Sequence, residues 1–308
     1  MLGPLVVGSI GLDTVEARGE VRNEVLGGSA AYFAASASFL GPVSVVAVVG
    51  DDFSHEHRSS LHKFGANLDG LSSVSGRTFR WHARYSDDFN KRTTLDTQLN
   101  VFAGFNPDLP PAYRQARLVF LGNIDPHLQL RVLDQVENAA LVGMDTMNFW
   151  ISGSRPALLQ VLKRIDFLLL NDEEARMLSG EHNLVRAAHG IHKLGAKGVI
   201  IKRGDAGALL FHGDHTFAAP AMPLSDVVDP TGAGDSFAGG FMGFLGRVFA
   251  GGALDGMSVR RAMICGSTMA SFCCEDFSLD RFRTLTSDEI EERFLRFRHL
   301  THFDELRL

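Results

Sequence analysis

The chain has 308 residues, 45% of them hydrophobic and 21% charged, with 36 acidic side chains against 30 basic ones and a formal net charge of −6. That is enough chain for one large α/β domain with its own core, and it carries no basic run that would make nucleic acid or an anionic membrane the expected partner. No apolar stretch reaches membrane-spanning length, and Cys265, Cys273 and Cys274 lack the spacing of a zinc or redox site, so a cytoplasmic protein with reduced thiols, acting on small molecules, is expected.

Residues 5–8 read as a buried strand, with no basic start or cleavage site before it. Gly8, Ser9, Ile10, Gly11, Leu12 and Asp13 follow at its C-terminal end, where open α/β sheets take their ligands. A dinucleotide fingerprint needs GxGxxG running straight into a helix, and these glycines do not. Residues 14–26 look like short, half-exposed strands. Gly27, Gly28 and Ser29 then open the alanine-rich helix AAYFAASASFLG, ended by Gly41 and Pro42.

Residues 44–49 predict a second buried strand, closed by Gly50, Asp51 and Asp52. Residues 53–64 predict a helix, and Gly65 begins a loop that runs to Leu71. Between residues 76 and 101 the pattern alternates in two arms, with DDFN at 87–90 as the turn of a hairpin too polar for the core. Residues 118–121 form the next core strand, followed by Gly122, Asn123, Ile124 and Asp125. A helix over 126–138 and a strand over 140–144 then lead to Asp145, Thr146, Met147 and Asn148.

Residues 165–170 are an unbroken apolar run, as in a strand buried on both faces. Asn171, Asp172, Glu173 and Glu174 open the helix after it, where acidic side chains suit the dipole. Residues 199–202 are another strand, followed by Arg203, Gly204, Asp205, Ala206 and Gly207, and residues 209–217 make a hairpin turning at Gly213 and Asp214. The polar ends of these strands converge on one crevice. No GxxxxGK[ST] occurs, so a P-loop does not hold phosphate here.

Everything else is arranged around VVDPTGAGDSFAGGFMGFL, from Val227 to Leu245. Val227 and Val228 read as a strand end, and Gly232, Ala233, Gly234 and Asp235 stand where a helix begins. Free N–H groups of a first helical turn, reinforced by the dipole, attract phosphate. Asp235 would repel that anion unless it takes a proton from a group attacking it, and the plainer alternative is a helix cap. A second apolar helix, residues 259–273, packs beside this one, and residues 288–297 make a charged amphipathic helix.

Asp229, Thr231, Gly232, Ala233, Gly234, Asp235, Phe237 and Gly240 match the signature DTTGAGDxFxxG, with Pro230 where threonine is usual. Gly27, Gly28, Ala34, Leu40 and Gly41 match GGxxxNxAxxxxxLG, with Tyr32 in place of asparagine. Asn171 and Glu174 match NxxE, and Gly204 and Gly207 match TLGxxG, with Lys202 at the threonine position. In these motifs and their order the chain resembles the ribokinase-like (PfkB) kinases.

The resemblance implies a three-layer α/β sandwich with a mostly parallel sheet and a small β lid from residues 14–26 and 76–103, all one domain. It implies ATP-dependent phosphorylation of a hydroxyl on a small polyhydroxy compound, a sugar first, a nucleoside or inositol second, with a non-catalytic sensor as the rival. Asp235 would be the base and Gly232, Ala233 and Gly234 the anion hole. Asp13, Gly27, Gly28, Tyr32 and Asn123 would face the acceptor, and Asn171, Lys202, Gly204 and Gly207 the nucleotide. Asn171 and Glu174 would support Mg2+ through water, Asp229 and Thr231 a K+ ion, and the lid a homodimer.

Overall fold

Runs of β-branched and apolar residues bounded by glycine and polar clusters make the strands. In the computed structural model, which describes residues 3–86, 89, 92–249 and 254–302, they fall into two sheets. In chain order they are β1 (Leu5–Val7), β2 (Gly11–Ala17), β3 (Glu20–Gly27), β4 (Val43–Val49), β5 (Ala66–Ser73), β6 (Phe79–Tyr85), β7 (Arg92–Gln98), β8 (Leu118–Leu121), β9 (Leu141–Asp145), β10 (Phe167–Asn171), β11 (Gly198–Lys202), β12 (Ala208–His212) and β13 (His215–Ala219). The large sheet has the order β13-β12-β11-β10-β9-β8-β1-β4-β5 and is parallel up to β11, after which β12 and β13 return antiparallel. The small sheet has the order β3-β2-β6-β7.

Helices cover both faces of the large sheet, which is why its strands are apolar without alternation. Phe167 and Leu169 of β10 join the core on one face, and Leu168 and Leu170 join the core on the other. The first face is covered by the helices Ser29–Ser38, Ala233–Val248 and Gly256–Cys273, the second by Pro126–Gln135, Arg155–Leu162 and Leu184–Leu194. Together they make a three-layer α/β sandwich with a largely parallel centre.

Small residues let the helices of the first face approach closely. A β-carbon on Gly239 would lie 2.4 Å from the Phe33 carbonyl oxygen, and the Ser36 hydroxyl donates to the Ser236 carbonyl at 2.6 Å. The alanines after Gly28 therefore serve helix packing. That packing also sets the start of the Ala233–Val248 helix beside Tyr32.

Several boundaries differ from expectation. The segment after Gly65 is not a loop but β5, the edge strand of the large sheet, because its alternating burial lets Ala66, Leu68 and Leu71 close the core while Asn67 and Asp69 stay outside. Val227 and Val228 lie in no strand; the backbone there is irregular, and the Val228 amide bonds the Cys274 carbonyl. Asp145 is the last residue of β9, not a loop residue. The helix expected over 126–138 ends at Gln135. The turn expected at 87–90 lies, Phe89 apart, outside the described residues.

Candidate active site

The Ala233–Val248 helix starts at Gly232, which has φ 76° in the left-handed region, and no side chain caps it. The cap reading of Asp235 therefore falls away: the carboxylate sits within the first turn, after the cap position, at an end where amide N–H groups lack intrahelical carbonyls. The ring of Tyr32, in the Ser29–Ser38 helix, lies directly against Gly232.

Asp235 belongs to a cluster of charges drawn from the ends of three neighbouring strands. The Lys202 ammonium, at the end of β11, donates to Asp145 Oδ2, at the end of β9, at 2.6 Å. Glu174 stands next to them, just past β10. Burial, and then the Asp145 charge, push the Asp235 carboxyl up to about 7 against the pull of Lys202 and Arg92. Burial followed by Asp145 likewise pushes Glu174 up to about 7, opposed by Lys202, the Asn171 amide and Arg92. Burial works against charge on Lys202, but Asp145, Glu174 and Asp235 outweigh it and hold the ammonium above its ordinary range.

The small sheet reaches into the same place. Arg92 opens β7 and acts electrostatically on Asp235 and Glu174. Tyr85 ends β6, and its hydroxyl accepts from Thr231 Oγ1 at 3.2 Å; burial pushes that phenol up to about 12.

Beneath the turn lies a second polar group. Asp13 Oδ1, Tyr32 OH and Asp229 Oδ2 are buried without a hydrogen-bond partner among the described residues. Burial first, then Asp229 and Asp235, push Asp13 up to about 8. Tyr32 is also raised, by burial and then by Asp229. Asp229 is raised by burial against the pull of Thr231, whose amide donates to Asp229 Oδ1 at 2.9 Å. An unsatisfied buried polar group costs about 1–3 kcal/mol, so three together mark a place suited to a polar ligand or ion.

Gly27 is explained by Asp13: a β-carbon there would lie 1.9 Å from Asp13 Oδ2. Gly28, at φ 96°, lets the helix start against the Ser9 carbonyl. Asn123 Oδ1 accepts from Trp150 Nε1 at 3.0 Å. Gly204 and Gly207 shape the turn from β11 into β12, Gly207 because a β-carbon would lie 2.1 Å from the Ala219 carbonyl oxygen.

Asn171 and Glu174, which the resemblance places toward Mg2+, also bond each other's backbone. They form a reciprocal capping box, Asn171 Oδ1 accepting from the Glu174 amide at 2.8 Å and Glu174 Oε2 from the Asn171 amide at 2.7 Å. The box consumes the Asn171 carbonyl oxygen and one Glu174 oxygen. Asp172 pairs with Arg176 instead.

Sequence reasoning placed Asp145 at the crevice without giving it a role, and missed Arg92 and Tyr85. Asp145 had a signal, its place at a strand end beside the crevice, but one shared by many loop polar residues. Arg92 and Tyr85 had none, since only the pairing of β6 with β2 carries their hairpin to the turn.

The fold and this constellation define a phosphotransferase. The chain belongs to the pfkB family of carbohydrate kinases, whose family model matches residues 6–282. It is similar to the cytidine kinase of Thermococcus kodakarensis, at 31% identity over 248 residues, 79% of this chain and 88% of the relative. The inositol 3-kinase of Arabidopsis thaliana is 25% identical over 314 residues, 94% of this chain and 80% of the relative. A solved ribokinase of Arabidopsis thaliana, complexed with ribose and ATP, shares the fold with a TM-score of 0.75 at 22% identity, over 96% of this chain and 99% of its own. No helix among the described residues is long and apolar enough to cross a membrane.

Proposed function

We propose that the protein transfers the γ-phosphoryl group of ATP to a hydroxyl of a nucleoside. The observation that carries this is Asp235: an uncapping carboxylate, held near neutrality by burial, at a helix start that attracts phosphate. A base is most useful when its pKa lies near the working pH. The acceptor oxygen bonds the γ-phosphorus, the bond from phosphorus to the ADP oxygen breaks, and the hydroxyl proton goes to Asp235. Such a base has no use in a non-catalytic sensor.

Asp13 and Tyr32, buried with unpartnered oxygens, bind the acceptor's hydroxyls, and Gly27 and Gly28 let the chain come close to it. The similarity to a cytidine kinase favours a nucleoside over the sugar that the motifs alone put first. ATP phosphates lie along the Ala233–Val248 helix start and the Gly204–Gly207 turn. The residues fit Mg2+ as a water-held ion: Glu174 and Asp145 stand beside the phosphate site, and the capping box takes only one of the two Glu174 carboxylate oxygens. Bound there, Mg2+ would neutralise charge on the phosphates. Asp229, with a buried free oxygen, would hold K+ with Thr231. The small sheet is the lid, brought to the site by Arg92 and Tyr85, and its exposed outer strands β3 and β7 offer edges for a homodimer.

The test is ADP formation by the purified protein with MgATP against cytidine, other nucleosides, ribose and myo-inositol. Turnover with nucleosides at the highest kcat/KM is expected. Preference for ribose or inositol overturns the acceptor class, and ATP binding without turnover of any acceptor revives the sensor.

A further inference from the structure

We infer that Lys202 is a catalytic residue of this reaction: its ammonium meets the oxygens of the phosphoryl group in transfer, beside the amides that open the Ala233–Val248 helix, and Asp145 holds it there. The inference rests on the reading of that helix start as the phosphate site.

Lys202 ends β11 in register with Asn171 of β10, and its side chain, 19% exposed, crosses β10 to reach Asp145 on β9. A lysine this enclosed is costly without a counter-ion, and Asp145 supplies one. The pair is not self-contained, however. An ammonium has three N–H donors, and among the described residues Lys202 uses one, on Asp145 Oδ2. Its nitrogen would lie 3.0 Å from a β-carbon on Gly234, so the absence of a side chain there keeps the ammonium at the helix start. A full positive charge and the N-terminus of a helix thus point to one place.

The carboxylates around that place need such a charge. Asp145, Glu174 and Asp235 all face Lys202, and Arg92 faces the last two from the small sheet. Without Lys202, three acids would confront an incoming polyphosphate. A threonine, usual in this motif, offers a hydroxyl; the lysine adds charge where negative charge gathers on the equatorial oxygens in the transition state. Lys202 transfers no proton: the acceptor's proton goes to Asp235, and the ammonium stays charged throughout.

The test uses the full chain as Lys202→Met, Lys202→Arg, and Lys202→Met combined with Asp145→Asn. Turnover, ADP affinity with and without aluminium fluoride, and melting temperature are measured with the best acceptor. Lys202→Met is expected to lower kcat by at least about a hundredfold, the scale of a lost transition-state donor, with ADP affinity changed less than about threefold. It should also abolish the tightening of ADP that aluminium fluoride, a phosphoryl mimic, produces in the wild type. Lys202→Arg should retain part of that tightening.

Lys202→Met leaves Asp145 buried and unpaired, so it also loses stability; the double variant removes both charges and should regain the melting temperature but not kcat. Recovery of kcat in the double variant, or wild-type aluminium fluoride tightening in Lys202→Met, makes the pair structural and overturns the inference. If the wild type forms no ADP with any acceptor, the reading of the helix start fails and takes this inference with it. An active wild type with an unimpaired Lys202→Met overturns this inference alone.

Discussion

The ring of Tyr32 lies so close to Gly232 that a β-carbon on the glycine would sit 2.3 Å from the ring's Cγ and Cδ1. The aromatic side chain that replaces the signature asparagine therefore forms the floor of the turn, and its hydroxyl emerges near Asp13 and Asp229 with no hydrogen-bond partner among the described residues. Ring and hydroxyl have separable roles. Tyr32→Phe keeps the floor, so it should leave the melting temperature nearly unchanged while raising KM for the acceptor. Tyr32→Asn opens a cavity and should cost about 3–5 kcal/mol of stability, on the scale of a lost buried ring, as well as changing the ranking of acceptors. An unchanged acceptor KM in Tyr32→Phe would make the hydroxyl irrelevant to recognition.

Asp235→Asn should lower kcat by at least roughly a hundredfold with nucleotide affinity retained, the usual scale for a positioned base. Because burial pushes the Asp235 carboxyl up to about 7, kcat/KM of the wild type should rise with pH through that value as the base loses its proton. The residual rate of the asparagine variant should lack that rise. A flat wild-type profile between pH 6 and 8 would remove Asp235 from the proton-transfer step.

Glu174→Gln separates helix capping from metal support. Glutamine also serves in a capping box, so the Asp172–Ser179 helix should survive with little change in melting temperature. The Mg2+ concentration for half-maximal rate should rise, since the charge beside Asp145 and Lys202 is gone. An unchanged Mg2+ dependence leaves Glu174 with capping alone.

Asp13 should destabilise the fold as pH rises. Its carboxyl sits at about 8 in the folded protein against an ordinary 3.8, so between those values the unfolded chain gives up its proton while the folded one keeps it. Stability attributable to this group is therefore greatest below pH 3.8 and falls steadily toward pH 8. Asp13→Asn should raise the melting temperature more at pH 8 than at pH 5, and should weaken acceptor binding. An equal shift at both pH values would mean that Asp13 ionises normally in the folded chain.

Local pattern determined much of this protein. The apolar run before Asn171 needs helices on both faces of its strand whatever the topology, and TGAGDSF places small residues and an acid at a helix start because only such residues permit a left-handed turn and close backbone approach. Those motifs also carried the family. Tertiary structure decided the rest, for reasons of geometry that no single segment contains. Nothing in the spacing of Asn171 and Glu174 says that they also cap the helix start, each bonding the other's backbone, and the folded chain shows that box. Asp145 and Lys202 stand 57 residues apart and meet only because β9 and β11 flank β10. Arg92 and Tyr85 reach the signature turn only because β6 pairs in parallel with β2, a long-range register that side-chain alternation leaves open. Where charges from separate strands converge, their ionisation follows from burial and from one another, and both of these exist only in the folded chain.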